Sequence, residues 1–243
     1  MSYLHNKYFM ENKKIAIVSL HTPNFQTLAD YTWPNKVEYA ERHGYRYFCK
    51  TDGFTFHWPS GEKFPMIKQY LLDNPDTEWV WWVDTDTLIT DYTKRVEEFL
   101  DDDYHFIIGT DVDHNPESSH NKDHCAVNAG SFFVRNSSEA HAYLDWMLSV
   151  YEEFEKEYGW WTEQRIIDAS CNFSNLKLTW KKYIKICPQH WFNSFDCEPR
   201  RFARDLLGER ANWEPGDFLV HWPGVGMDTR MRLVGKYLNL ITK

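Results

Sequence analysis

Asp84 and Asp86, two carboxylates one residue apart, close an apolar run that starts at Trp79. Trp79-Val80-Trp81-Trp82-Val83 contains no Gly or Pro and reads as a buried strand. Side chains alternate along a strand, so Asp84 and Asp86 are expected on one side and Thr85 on the other. Two carboxylates on one face at the end of a buried strand repel each other and lose solvation. A hard divalent cation such as Mg²⁺ or Mn²⁺ relieves both, because it prefers oxygen ligands. In an open α/β sheet, ligands collect beyond the carboxyl ends of the strands, which is where this pair falls. The competing reading is a solvated turn in which both carboxylates face water.

A second strand end offers another ligand. Residues 216–224, Gly-Asp-Phe-Leu-Val-His-Trp-Pro-Gly, read as a buried strand ending in His221 and then a Pro/Gly turn. A strand-end His paired with a strand-end Asp-x-Asp is a better ligand candidate than a lone His. Glu163 and Gln164 follow the pair Trp160-Trp161 and open a short helix capped by Thr162. Glu163 either complements the helix dipole or faces a substrate. His21 and Thr22 follow the first strand, where an α/β unit meets a nucleotide. Asn128-Ala129-Gly130-Ser131 is a run of small residues that allows close backbone approach, and Asn128 either is structural or binds a hydroxyl group.

The elements that carry these residues alternate between strand and helix. Strands are expected at residues 14–20, 45–49, 78–83 and 105–109, then following the small residues 129–131, and at 182–187 and 216–221. Helices are expected from Pro34 to a stop at Gly44, from Pro65 onward, over 93–100, after an Asn136/Glu139 cap, from Thr162 to about 169, and over 227–240. The fold class is α/β: a central mixed, mostly parallel sheet flanked by helices, with a nucleotide-binding, Rossmann-like N-terminal half. The 243 residues suit one large domain and are short for two. Residues 111–125 are polar and are expected as a loop over the site.

Aromatics make up 17% of the chain, with 12 Trp. That excess serves partly as core and partly as a platform for flat, CH-rich ligand faces such as sugars. A net charge of −9 argues against nucleic-acid binding. Five widely spaced cysteines without Cys-x-x-Cys argue for a reducing compartment rather than a disulfide framework. The apolar runs fall short of membrane-spanning length and there is no signal peptide, so a soluble, cytoplasmic location is expected. Asn136-Ser-Ser and Asn172-Phe-Ser match the glycosylation acceptor pattern, which matters only in a secretory context. Two other functional classes stay open on these residues: a metal-dependent hydrolase of phosphate or sugar-phosphate esters, and a non-catalytic carbohydrate-binding protein.

The ordered set of motifs resembles glycosyltransferase family 34, the galactosyl-, mannosyl- and xylosyltransferases of fungal Golgi and plant xyloglucan synthesis. The matching pieces are Trp-Val-Trp-Trp-Val-Asp-Thr-Asp-Thr, Asn-Ala-Gly-Ser-Phe-Phe-Val-Arg-Asn, Glu163-Gln164, Trp191-Phe192-Asn193 and Gly-Asp-Phe-Leu-Val-His-Trp-Pro-Gly, spread over residues 15–224. The resemblance implies a GT-A fold across residues 1–243, with a nucleotide-sugar half at about 13–111 and an acceptor half at about 126–243. It implies a nucleotide-sugar donor, a UDP-sugar more than a GDP-sugar, together with Mn²⁺ or Mg²⁺ and a glycan or glycoprotein acceptor, with retention at the anomeric carbon. Asp86 and His221 would ligate the metal, and Asp84 would share it or hold the ribose. His21 and Thr22 would hold the uracil. Lys63, Asn128, Gly130 and Gly224 would line the donor site, and Glu163 and Gln164 would lie beside the sugar. Trp160, Trp161 and Trp191 would stack on acceptor sugars. Two departures stand out: where the family usually carries a Lys after the His-aromatic-x-Gly turn, this chain has Gly226, and it lacks the family's membrane anchor.

Overall fold

The computed structural model describes residues 14–112, 127–159, 162–172 and 180–243. Trp160, Trp161 and residues 113–125 of the expected loop lie outside the described residues. The frame is a six-stranded sheet built from β1 (Ile15–Leu20), β2 (Arg46–Lys50), β3 (Trp79–Val83), β5 (Phe106–Thr110), β6 (Val127–Arg135) and β7 (Ile184–Cys187). Their order is β2-β1-β3-β6-β5-β7. Only β6 runs against its neighbours, so the sheet is mixed and mostly parallel, as expected.

The Trp-rich run is apolar throughout because β3 is covered on both faces. Val80 and Trp82 pack with Phe64, Ile67 and Leu144 from α2 (Lys63–Asp73) and α3 (Ser138–Tyr158). Trp79, Trp81 and Val83 pack on the other side with Tyr39, Ile89 and Phe218. Trp79, Trp81 and Trp82 are all fully buried. A buried Trp removes about 150–250 Å² from water, and at about 25 cal/mol per Å² this contributes on the order of 5 kcal/mol each.

A second sheet of three short strands sits where the first one ends: β4 (Thr87–Ile89), β9 (Leu219–His221) and β8 (Ser194–Phe195), in the order β4-β9-β8. Its register sets Thr87 opposite His221. The Trp222 amide donates to the Asp86 carbonyl at 3.0 Å. Two segments far apart in sequence are thereby clamped side by side.

Four expected elements are corrected. The first helix, α1, spans Gln26–His43, and Pro34 lies inside it rather than at its first turn. Its buried face, Leu28, Ala29, Thr32, Asn35, Lys36, Tyr39 and Ala40, keeps helical spacing through the proline. Gly44 ends it in the left-handed region at φ 73°, as expected. Residues 93–100 form only a 3-10 turn at Val96–Phe99, in which Glu98 accepts from the Arg95 amide. The α3 cap is Ser137, whose hydroxyl accepts from the Ala140 amide at 3.2 Å. Asn136 instead donates to the Thr77 carbonyl at 2.8 Å. Strand β3 stops at Val83, so Asp84 and Asp86 stand in a turn and strand alternation is not what brings them together. Helices α4 (Thr162–Asn172) and α5 (Met227–Leu238) complete the layers. Among the described residues no helix is long and apolar enough to cross a membrane.

Candidate functional site

The site forms where β3 and β9 end together. Asp84, Asp86 and His221 each offer a ligand atom, and these atoms lie within 4.8 Å of one another. The turn that holds the two carboxylates is tied down from several sides. The Asp84 amide donates to the Gly130 carbonyl at 2.8 Å. The Thr85 hydroxyl donates to the Leu20 carbonyl. From below, Lys36 of α1 donates to the Thr87 carbonyl at 2.9 Å. Burial lowers the Lys36 ammonium to about 8, against the opposing pull of Cys49, Asp86 and Asp84. Trp82 closes the core and also orients the site: its indole N–H donates to Asp84 Oδ1 at 2.7 Å.

His221 is set by a relay of amides. Its Nδ1 lies 3.0 Å from Asn193 Oδ1. Asn193 Nδ2 in turn donates to Asn128 Oδ1 at 2.9 Å, and the Gly130 amide donates to the same oxygen at 3.0 Å. With its amide nitrogen donating to Asn128, Asn193 presents only oxygen to the ring, so His221 Nδ1 carries the proton. Nε2 is then the ring nitrogen that faces Asp86 Oδ1, at 3.4 Å, and the one whose lone pair a metal ion would use. This tautomer and the two carboxylates together form an O/O/N donor set that suits Mn²⁺ or Mg²⁺.

The small residues 129–131 make this approach possible. Strand β6 follows β5 in register up to Ile108↔Phe132 and resumes at Gly109↔Asn128, so residues 129–131 swing away from β5 as a bulge. A Cβ on Gly130 would fall within 2.6 Å of His221 Nδ1. We therefore expect Gly130→Ala to cost about 1–3 kcal/mol of stability through overpacking. Urea unfolding tests this, and the cost should shrink when His221 is also replaced by Ala. An equal cost in both backgrounds would show that the ring is not the obstacle.

Lys63 is the hub on the other side. It is buried, lies 3.0 Å from Asp84 Oδ1 and 3.3 Å from Glu163 Oε1, and donates to the Ala129 carbonyl at 3.0 Å. Burial alone would lower the ammonium, but Asp84 and Glu163 raise it above its ordinary value, so it stays cationic. Burial, reinforced by Asp86, raises Asp84 above the usual carboxylate range in spite of Lys63. Burial opposes ionisation of Asp86 too, but there His221 and Arg230 outweigh it and hold the carboxyl below that range. Glu163 Oε2 is buried and has no hydrogen-bond partner among the described residues. Gln164 Oε1 accepts from the Ala129 amide at 3.2 Å, and its Nε2 faces Asp111 Oδ2 at 3.4 Å.

The structure thus brings together Lys63, Asp84, Asp86, Asn128, Gly130, Glu163, Gln164 and His221. His21 lines a cleft at the end of β1 with Trp33, Tyr47, Cys49 and Thr85, beside the carboxylate turn. Trp33 and Tyr47 are stacked there, with ring centres 6.5 Å apart. Thr22 does not line this cleft; its hydroxyl donates to Asn24. Gly224 stands apart in a left-handed turn at φ 65°, its carbonyl accepting from Arg200 at 3.2 Å. Sequence reasoning missed the parts played by Asn193, Lys36, Trp33 and Arg230, whose Nη2 donates to Asp86 Oδ2 at 2.8 Å.

Comparison with known proteins bears on the fold and the family. An α-1,2-galactosyltransferase of Schizosaccharomyces pombe is 26% identical over 250 residues, covering 88% of this chain; the chain spans 62% of that protein's length. Galactomannan galactosyltransferase 1 of Cyamopsis tetragonoloba is 26% identical over 150 residues, covering 59% of this chain and 32% of that protein. Among solved structures, a glycosyltransferase involved in glycosylation of the major capsid of PBCV-1 superposes with a TM-score of 0.66 at 18% identity, over 92% of this chain and 99% of its own. The galactosyltransferase LgtC, in complex with donor and acceptor sugar analogs, superposes with a TM-score of 0.61 at 12% identity, over 93% of this chain and 94% of its own. These likenesses show the GT-A fold. Residues 14–230 match the sequence profile of the galactosyl transferase GMA12/MNN10 family, and the chain belongs to that family.

Proposed function

We propose that the chain is a metal-dependent glycosyltransferase that moves a hexose or pentose from a nucleotide sugar to a glycan or glycoprotein acceptor. The donor is a UDP-sugar in preference to a GDP-sugar, and the reaction retains anomeric configuration. The observation that carries this reading is the convergence of Asp84, Asp86 and His221 at the carboxyl end of a mostly parallel sheet, in a chain of this family. These three residues would hold Mn²⁺ or Mg²⁺, and the ion when bound supplies Lewis-acid stabilisation to the departing diphosphate. The stacked rings of Trp33 and Tyr47 beside the carboxylate turn would offer an aromatic face to a flat base.

The rest of the chemistry falls to the chain's own groups. The half at about 13–111 holds the nucleotide, and the half at about 126–243 holds the acceptor. Lys63 stands between Asp84 and Glu163 as their shared cationic partner. The free oxygen of Glu163 accepts from a sugar hydroxyl. Gln164 is oriented by the Ala129 amide beside the small residues where the sugar would lie. With attack on the face from which the leaving group departs, no strong base is obligatory, and the departing phosphate takes the acceptor's proton. The α-linkages in the names of the Schizosaccharomyces pombe relatives agree with retention from an α-linked donor.

Calorimetric titration of UDP with and without Mn²⁺ tests the reading. We expect binding only when the ion is present, with GDP at least tenfold weaker. Absence of nucleotide binding under all conditions, with binding of free glycans instead, would replace it by a carbohydrate-binding role.

A further inference from the structure

Arg230 sits in the second turn of α5, with its amide donating to the Gly226 carbonyl at 3.0 Å. Its side chain is 13% exposed and reaches back to the carboxylate turn. Nη2 donates to Asp86 Oδ2 at 2.8 Å, and Nε donates to the Trp222 carbonyl at 3.3 Å. The guanidinium carbon lies 5.3 Å from the centre of the Phe25 ring. His221 Nε2 faces the other Asp86 oxygen at 3.4 Å. Both oxygens through which Asp86 would bind a cation therefore already face nitrogen, and one of these nitrogens carries a permanent charge.

We propose that Arg230 is an internal counter-cation that guards Asp86 and hands over its hydrogen bonds to a diphosphate when a divalent ion and nucleotide bind together. The proposal rests on the nucleotide-sugar reading above. A divalent ion on Asp86 and a guanidinium at hydrogen-bond distance from the same carboxylate are like charges in a buried place, so they exclude each other. A diphosphate arriving with the ion offers Arg230 a replacement, because a guanidinium matches two phosphate oxygens at once. The Trp222 carbonyl and the Phe25 ring anchor the inner part of the side chain, so the released end stays beside the ligand group.

The other buried cations nearby have standing partners. Lys63 is held by Asp84, Glu163 and the Ala129 carbonyl, and Lys36 by the Thr87 and Thr32 carbonyls. Gly226, which caps α5, offers no side chain. Metal and nucleotide then bind cooperatively, since each removes an obstacle to the other.

The test is titration of Mn²⁺ followed by electron paramagnetic resonance of the free ion, on wild type and Arg230→Met, each alone and with UDP. Arg230→Met alone is expected to bind Mn²⁺ at least tenfold more tightly than wild type. The gain in Mn²⁺ affinity produced by UDP is expected to shrink at least tenfold in the variant. Equal Mn²⁺ affinity without UDP, or an undiminished effect of UDP, overturns the hand-over and leaves the metal reading standing. No Mn²⁺ binding by either protein, with or without UDP, overturns both. Circular dichroism checks the fold, and Arg230→Gln, neutral and still able to donate, provides the same comparison if Arg230→Met does not fold.

Discussion

Replacing Asp86 by Asn should reduce glycosyl transfer with Mn²⁺ at least about a thousandfold, roughly 4 kcal/mol of transition-state stabilisation, while the protein stays folded. Asn has the same shape and its oxygen can still accept from Arg230, so the fold loses charge-assisted strength rather than a partner. The ligand group loses far more. A neutral amide is a poor ligand for a hard cation in a site where, among the described residues, the other carboxylate is Asp84. Initial rates and UDP titration with Mn²⁺ measure both effects. A variant within tenfold of wild type in both would remove Asp86 from the metal site and leave it only the structural partner of Arg230 and His221.

The same variant carries a pH signature. Asp86 is held below the usual carboxylate range in the folded chain, so its charge stabilises the fold above its unfolded value of about 4. The folded state binds fewer protons than the unfolded state in that window, so this contribution is lost as pH falls through the folded value. Wild type should therefore be the more stable protein at pH 7, and the difference from Asp86→Asn should narrow in acid. Urea unfolding at the two ends of the range follows the change.

The local parts of this site were legible in sequence, and the long-range parts were not. The Trp run announced a strand buried on both faces, because only cover on both sides explains five apolar residues without alternation. The carboxylates at its end and the strand-end His221 stood out for the same reason: charge or metal affinity where a core stops. The small residues at 129–131 were read as room for close approach, and the room is taken by the His221 ring. What joins these pieces is pairing between distant segments. The Thr87↔His221 register and the Lys63–Glu163 contact join residues at least 100 positions apart, and no periodicity encodes them. Asn193 looked like one more loop amide until its two ends were seen to be bonded to Asn128 and His221. Arg230 lies in the 227–240 stretch, which reads only as a helix. The 93–100 stretch had the charges of a helix, but the Arg95–Glu98 cap closes only one turn of it. Pro34 was taken as a start signal, although Asn35, bonded to Ile89 at both its oxygen and its nitrogen, holds the helix through that point.

Lys63→Met should be the most destabilising change at the site. The ammonium is the cation between Asp84 and Glu163, and all three groups are largely buried. Removing one member of a buried ion network leaves uncompensated charge and costs about 3–5 kcal/mol. Burial already raises Asp84, and without the opposing pull of Lys63 it favours protonation still more strongly in the folded chain than in the unfolded one. The folded state then binds more protons, so the variant should regain stability as pH falls from 8 to 5. Lys63→Met/Glu163→Gln should recover part of the loss at neutral pH, because one of the stranded charges is gone. A divalent ion held through Asp84 replaces part of the missing positive charge, so Mn²⁺ should raise the melting temperature of Lys63→Met more than that of wild type. Thermal scans at fixed pH with and without Mn²⁺ decide this. If Mn²⁺ protects the variant no more than wild type, Asp84 is a partner of Lys63 alone, and the ion is held through Asp86 and His221 without it.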